Sequence, residues 1–171
     1  MKKVFKKRIS LFLAVVIFVL CLPGEVSASE SVKSYSMNRI YGTPNYDNGS
    51  IWDVLTENDS ARSTPVLTHC NVGVSYSSAG MHVEIYTTCS HQSEEVGVKD
   101  VKIQKQVGIF WSTVATSTGG SCADSVIYGG SLLYSGAEYG ATYRVSCVHF
   151  AYCGGYDLQA EHVTGGSKCT Y

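Results

Sequence analysis

Charge is scarce in this chain of 171 residues: Asp, Glu, Lys and Arg together make up 16% of it. Five of its few cations, Lys2, Lys3, Lys6, Lys7 and Arg8, crowd the first residues. The remainder of the chain is mildly acidic, which argues against nucleic acid or an anionic membrane as the partner. A membrane-spanning run is missing too. The apolar stretch 9–22 holds 14 residues, short of the roughly 20 that cross a bilayer as a helix. No Cys-x-x-Cys occurs, so the spacing of a paired zinc site is absent and neither metal nor cofactor is expected. No nucleophile elbow surrounds a serine; Ser121, within Gly119-Gly120-Ser121-Cys122, has no base identifiable beside it. From Val66 onward a helical period is lacking as well.

The features that are present begin with an export signal. The basic start, the short apolar run, the break at Pro23-Gly24 and the small-x-small triplet Val26-Ser27-Ala28 predict cleavage after Ala28. The reading is residues 1–28 signal peptide, 29–65 polar extension and 66–171 one folded domain in a secreted, extracellular protein. After signal removal, no membrane span is expected. Within the extension, Ile51, Trp52, Val54 and Leu55 form the one apolar cluster. It suits a short helical turn laid on the domain, or else the segment is a flexible extension.

Gly (17) and Tyr (12) are plentiful, a mix poor for helices and common in extracellular β domains. Residues 69–90 read as a β-hairpin. Cys70, Val72, Val74 and Tyr76 alternate with polar or small residues, as do Val83, Ile85, Thr87 and Cys89. A turn about Ala79-Gly80 sets Cys70 against Cys89, Val74 against Ile85 and Tyr76 against Val83. Further strands are predicted over 98–107, 110–116, 125–134, 142–152 and 156–164. The run Ser117–Asp124 (STGGSCAD) is expected to be a loop, and Gly129-Gly130 a bulge. With a turn at Gly154-Gly155, His162 opposes Cys147 and His149 opposes Ala160. Seven short strands predict an all-β fold, an antiparallel two-sheet sandwich.

Gly140, Tyr143, Val145 and Cys147 resemble the start of strand F in fibronectin type III and immunoglobulin-like domains. That resemblance implies a corner hydrogen bond from the tyrosine. The stretch 103–114, with Gly108 and then Trp111, and more broadly 66–170, resembles a family of small exported proteins of Gram-positive bacteria. The immunoglobulin-like resemblance also leaves open a bridge of Cys89 to Cys147 between sheets.

Six cysteines come after the signal, an even number that export reads first as disulfides. The hairpin register favours Cys70–Cys89. Cys147 and Cys153 lie too far apart along one strand to join. Bringing the 117–124 loop and the Gly154-Gly155 turn to one end pairs Cys122–Cys153 and leaves Cys147–Cys169.

Chemistry-bearing groups are few. His149 and His162 fall on one strand face as diagonal neighbours, and a small extracellular hydrolase would need them joined to a pocket. Tyr128, Tyr152 and Tyr156 offer aromatic contact area for a binding surface. The sequence therefore favours a non-catalytic, disulfide-stabilised module binding an extracellular protein or glycan, with a secreted bacteriocin, toxin or inhibitor as the alternative.

Overall fold

The computed structural model describes residues 31–47, 49–56 and 64–171. The signal segment and its cleavage site at Ala28 lie outside these residues. Nine strands and no helix are found among them: β1 (Lys33–Ser34), β2 (Asn38–Arg39), β3 (Ile51–Thr56), β4 (Leu67–Ser77), β5 (Gly80–Val107), β6 (Phe110–Tyr134), β7 (Thr142–Cys153), β8 (Tyr156–Val163) and β9 (Ser167–Lys168).

The alternation in β4 and the start of β5 does what a period of two requires. Cys70, Val72, Val74, Val83, Ile85, Thr87 and Cys89 are all buried on one face. The register differs from the expected one by two residues, with Cys70 facing Thr87, Val72 facing Ile85 and Val74 facing Val83. The cause is the turn. It closes over Ser78 and Ala79, with Ser77 paired to Gly80 and the Ala79 amide donating to Ser77 Oγ at 3.2 Å. Gly80 sits at φ +131° against the Tyr134 carbonyl, a place no Cβ fits. A slip of two keeps every side chain on its face, so the core survives while Cys70 and Cys89 part.

The separate strands expected after this hairpin fuse into two long ones. β5 runs 28 residues and β6 25, paired along nearly their whole length. The stretch 117–124 is strand rather than loop, with Gly119 opposite Lys99, Gly120 opposite Val98 and Cys122 opposite Val96. Its small residues reflect tight packing. A Cβ at Gly119 would strike the Val98 carbonyl, and one at Gly120 would strike the Tyr128 hydroxyl. Register shifts between Thr88 and Ser93 and between Ile103 and Gln104 interrupt the ladder, as bulges do where long strands bend.

At that interruption β5 changes neighbour. Its first part pairs with β4, and Glu95–Lys105 pairs with β7. One continuous sheet, in the order β1-β6-β5-β4-β3 with β7, β8 and β9 beyond β5, thus brings one half over the other. Contacts between the halves show this: Thr87 Oγ1 donates to the Gly97 carbonyl at 3.0 Å, and the Tyr76 hydroxyl donates to the Ser167 carbonyl at 3.0 Å. The fold is all-β and compatible with a sandwich. β1 joins β6 in parallel, so the sheet is mixed.

Residues 51–56 form a strand rather than a helical turn. β3 pairs antiparallel with β4 from Ile51–Val74 to Thr56–His69. Trp52 drives the fit, because its ring lies on Gly73, where any Cβ would come within 2.9 Å of it. The reading of residues 29–65 as a polar extension is thereby corrected in part, since β1, β2 and β3 are built into the sheet.

The β7–β8 hairpin has the expected register, Cys147 opposite His162 and His149 opposite Ala160. Ahead of it, the buried Tyr143 hydroxyl accepts the Glu138 amide at 3.0 Å, five residues back across the corner.

Candidate functional site

Every second residue of β7 points inward: Tyr143, Val145, Cys147, His149, Ala151 and Cys153 are buried. The sequence pattern thereby places an imidazole in an apolar stripe, and β8 brings a second beside it. His149 and His162 are 0% and 1% exposed, with His149 Nε2 3.1 Å from His162 Nδ1. The network fixes the tautomers. Thr87 Oγ1 donates to Gly97, so at 2.7 Å from His149 Nδ1 it accepts that ring's N–H. His149 Nε2 then carries a lone pair and accepts from His162 Nδ1. His162 Nε2 is left without a hydrogen-bond partner, 3.4 Å from Asp53 Oδ1, an ion pair only when the ring is protonated.

Burial disfavours the charged form of both rings. It pushes His149 down to about 3, with the neighbouring His162 acting in the same direction. His162 is also lowered by burial, against an opposing pull from Asp53. Cys147 Sγ lies 3.6 Å from His149 Nε2, and burial raises its thiol far above the ordinary range, so it is no nucleophile. Because the two ring nitrogens bond to each other, they do not converge on an ion. Among the described residues no cluster of His, Cys, Asp and Glu forms a metal cage.

Asp53 is the link to the surface. It stands in a groove of about 300 Å³ lined by Ile51, Trp52, Val74 and the segment from Thr164 to Lys168. Its Oδ2 accepts the Gly165 amide at 3.1 Å, while Thr164 is fixed to Val145 by a reciprocal pair of 2.9 Å bonds. A general base must reach the proton it removes. The histidines are sealed behind Asp53 and do not face the groove.

Tyr128, Tyr152 and Tyr156 do not form a patch. Tyr128 is 2% exposed, because it stands opposite the inward Thr87 and directly opposed residues share a face. Its ring covers Gly120 and Gly130, which removes it from any binding surface. Tyr152 and Tyr156, at 45% and 49%, flank the Gly154-Gly155 turn. Tyr86 does point away from Val83 and Ile85, yet Trp52 lies over it with ring centroids 5.9 Å apart.

The expected disulfide partners are also separated. Cys89 stands opposite Leu67, not Cys70. Cys122 and Ala151 flank Val96 from opposite sides, so β5 runs between Cys122 and the strand that carries Cys153. Two strand spacings are about 10 Å, beyond the reach of a bridge. Cys169 is anchored by its amide to the Ala141 carbonyl at 2.8 Å. Six residues of extended chain, about 20 Å, separate Ala141 from Cys147. All six cysteines are buried, and none of the expected bridges is formed.

Sequence reasoning did not single out the tip of the β5–β6 hairpin. Val107 and Phe110 close the ladder over Gly108, at φ +60°, and Ile109. Val107, Ile109 and Phe110 are 58%, 85% and 72% exposed. The readable signal was three apolar residues astride a turn glycine, where polar residues are usual. Nearby, Lys105 is bound to Glu138 at 2.6 Å, and Arg144 lies over Trp111 while its Nε donates to Gln104. Comparison of the chain with protein-family models, curated proteins and solved structures finds no match.

Proposed function

We propose that this chain is an exported, non-catalytic β-sandwich module of the immunoglobulin or fibronectin type III kind, stabilised by disulfides, that acts by binding an extracellular partner through the β5–β6 tip. The observation that carries this is the contiguous exposure of Val107, Ile109 and Phe110 on a two-residue turn. Apolar residues exposed singly are ordinary, whereas a cluster on a protruding turn marks a contact. These three side chains carry no hydrogen-bonding group, so they suit an apolar pocket on a protein better than a glycan. The same shape would serve an inhibitor that inserts a hairpin into its target. The Tyr143–Glu138 corner bond supports the sandwich class.

The test is retention of fluorescently labelled protein on intact bacterial cells, comparing wild type with the double variant Ile109→Ser, Phe110→Ser and with Tyr152→Ser, Tyr156→Ser. The tip variant is expected to lose retention with its urea midpoint unchanged, since the replaced side chains are exposed. Protease treatment of the cells should abolish wild-type retention, and periodate oxidation of their glycans should not. Retention that survives the tip variant, or that depends on Tyr152 and Tyr156, overturns this reading.

A further inference from the structure

The fold removes the cysteine pairs that strand order predicted and brings different ones together. Cys70 stands opposite Thr87, whose Oγ1 is 2.7 Å from His149 Nδ1. Cys147 Sγ is 3.6 Å from the other nitrogen of that same ring. Two buried sulfurs, one from each half of the sheet, therefore flank a single Thr–His pair. Cys70 acts with burial to raise the Cys147 thiol.

At the interruption of β5 a second meeting occurs. Cys153 Sγ lies 3.1 Å from the carbonyl of Gln92, three residues along β5 from Cys89, and Cys89 and Ser93 both act on its thiol. All four sulfur-bearing residues are at most 5% exposed. Cys122 and Cys169 have no such meeting. Cys122 lies level with Ala151 of β7 across Val96, and Cys169 lies beside Ala141 at the other end of that strand. Ten extended residues, about 33 Å, separate those levels.

We propose that the exported chain is clamped across its two halves by bridges Cys70–Cys147 and Cys89–Cys153, with Cys122 and Cys169 remaining as buried thiols. This rests on the export reading above, because only an oxidising compartment sustains such bonds. Each bridge forms by exchange with a disulfide oxidant outside the cytoplasm. One cysteine thiolate attacks the oxidant, and the partner thiolate then displaces it. One S–S bond forms in the chain, one breaks in the oxidant, and the oxidant leaves as two thiols carrying the two hydrogens. In the closed fold these sulfurs are shut away from oxidant, so exchange precedes closure of the halves. The Cys147 bridge would occupy the position of the immunoglobulin inter-sheet bond with Cys70, not Cys89, as its partner.

The experiment is disulfide mapping of wild-type protein collected from the medium without reductant, alkylated in denaturant and digested. Trypsin alone leaves Cys70 with Cys89 and Cys147 with Cys153 on common peptides, because no Lys or Arg lies between either pair. Cleavage after aromatic residues separates them at Tyr86 and Phe150. The expected result is cross-linked peptides 70–147 and 89–153, with alkyl groups on Cys122 and Cys169 alone. Any bridge using Cys122 or Cys169, or a Cys70–Cys89 link, overturns the pairing while leaving export intact. Six alkylated cysteines in secreted protein overturn the bridges altogether, as does zinc retained through dialysis in their place. Failure of the export reading is read separately, as full-length chain retained in cells instead of protein in the medium with a new N-terminus.

Discussion

Lowering the pH should destabilise this protein, because unfolding frees a core imidazole to take a proton. His149 is fully buried, hydrogen-bonded as the neutral ring, and pushed down to about 3. In the unfolded chain the same ring titrates near 6.5. Between those values the unfolded state binds the extra proton, so stability is lost as pH falls, starting near 6.5 and ending near 3. At pH 5 the loss relative to pH 7.5 is about 2 kcal/mol from this one ring, set almost wholly by the unfolded value. His162, lowered for the same reason, adds in the same direction. The assay is urea unfolding at both pH values for wild type and for His149→Gln, which keeps a polar group for Thr87 and cannot titrate. Carboxylates contribute equally to both proteins, so the difference between the two pH dependences isolates His149. The wild type should lose about 2 kcal/mol more than the variant on going to pH 5. Equal losses would refute the sealed-imidazole argument, because they would mean that the ring can take its proton without unfolding.

The packing leads to two further outcomes. Tyr128→Ala should cost about 3–5 kcal/mol in urea unfolding, as for other buried aromatic truncations, while Tyr152→Ala should cost under about 1 kcal/mol; similar costs would contradict their exposures of 2% and 45%. Tyr143→Phe keeps the ring but leaves the Glu138 amide without its acceptor. The expected loss is about 1–2 kcal/mol, and an unchanged midpoint would show that the corner bond is dispensable.

Much of the local order was legible from side-chain alternation. A period of two placed Cys70, Val72, Val74, Val83, Ile85 and Thr87 on one buried face, and it did so correctly even though the turn was misplaced by one residue. Parity is protected by burial, since a slip of one would turn the whole apolar set to water, whereas a slip of two costs only the pairings. The glycine pair 154–155 fixed the β7–β8 register, and with it the approach of His149 to His162. Composition was a poorer guide at 117–124. Gly, Ser and Asp there read as a loop, because the need for small residues comes from the neighbouring β5 backbone and from Tyr128.

The sequence by itself determined the all-β class and the inward stripes, which depend on neighbours within a strand or one turn away. Tertiary structure alone decided that β5 and β6 run unbroken and fold one half of the sheet over the other. It also decided that Trp52 seals Tyr86, that Tyr128 is core, and which sulfurs meet. Those outcomes depend on distances between residues up to a hundred positions apart, which are set by where a bulge bends a strand, and no local pattern carries that information.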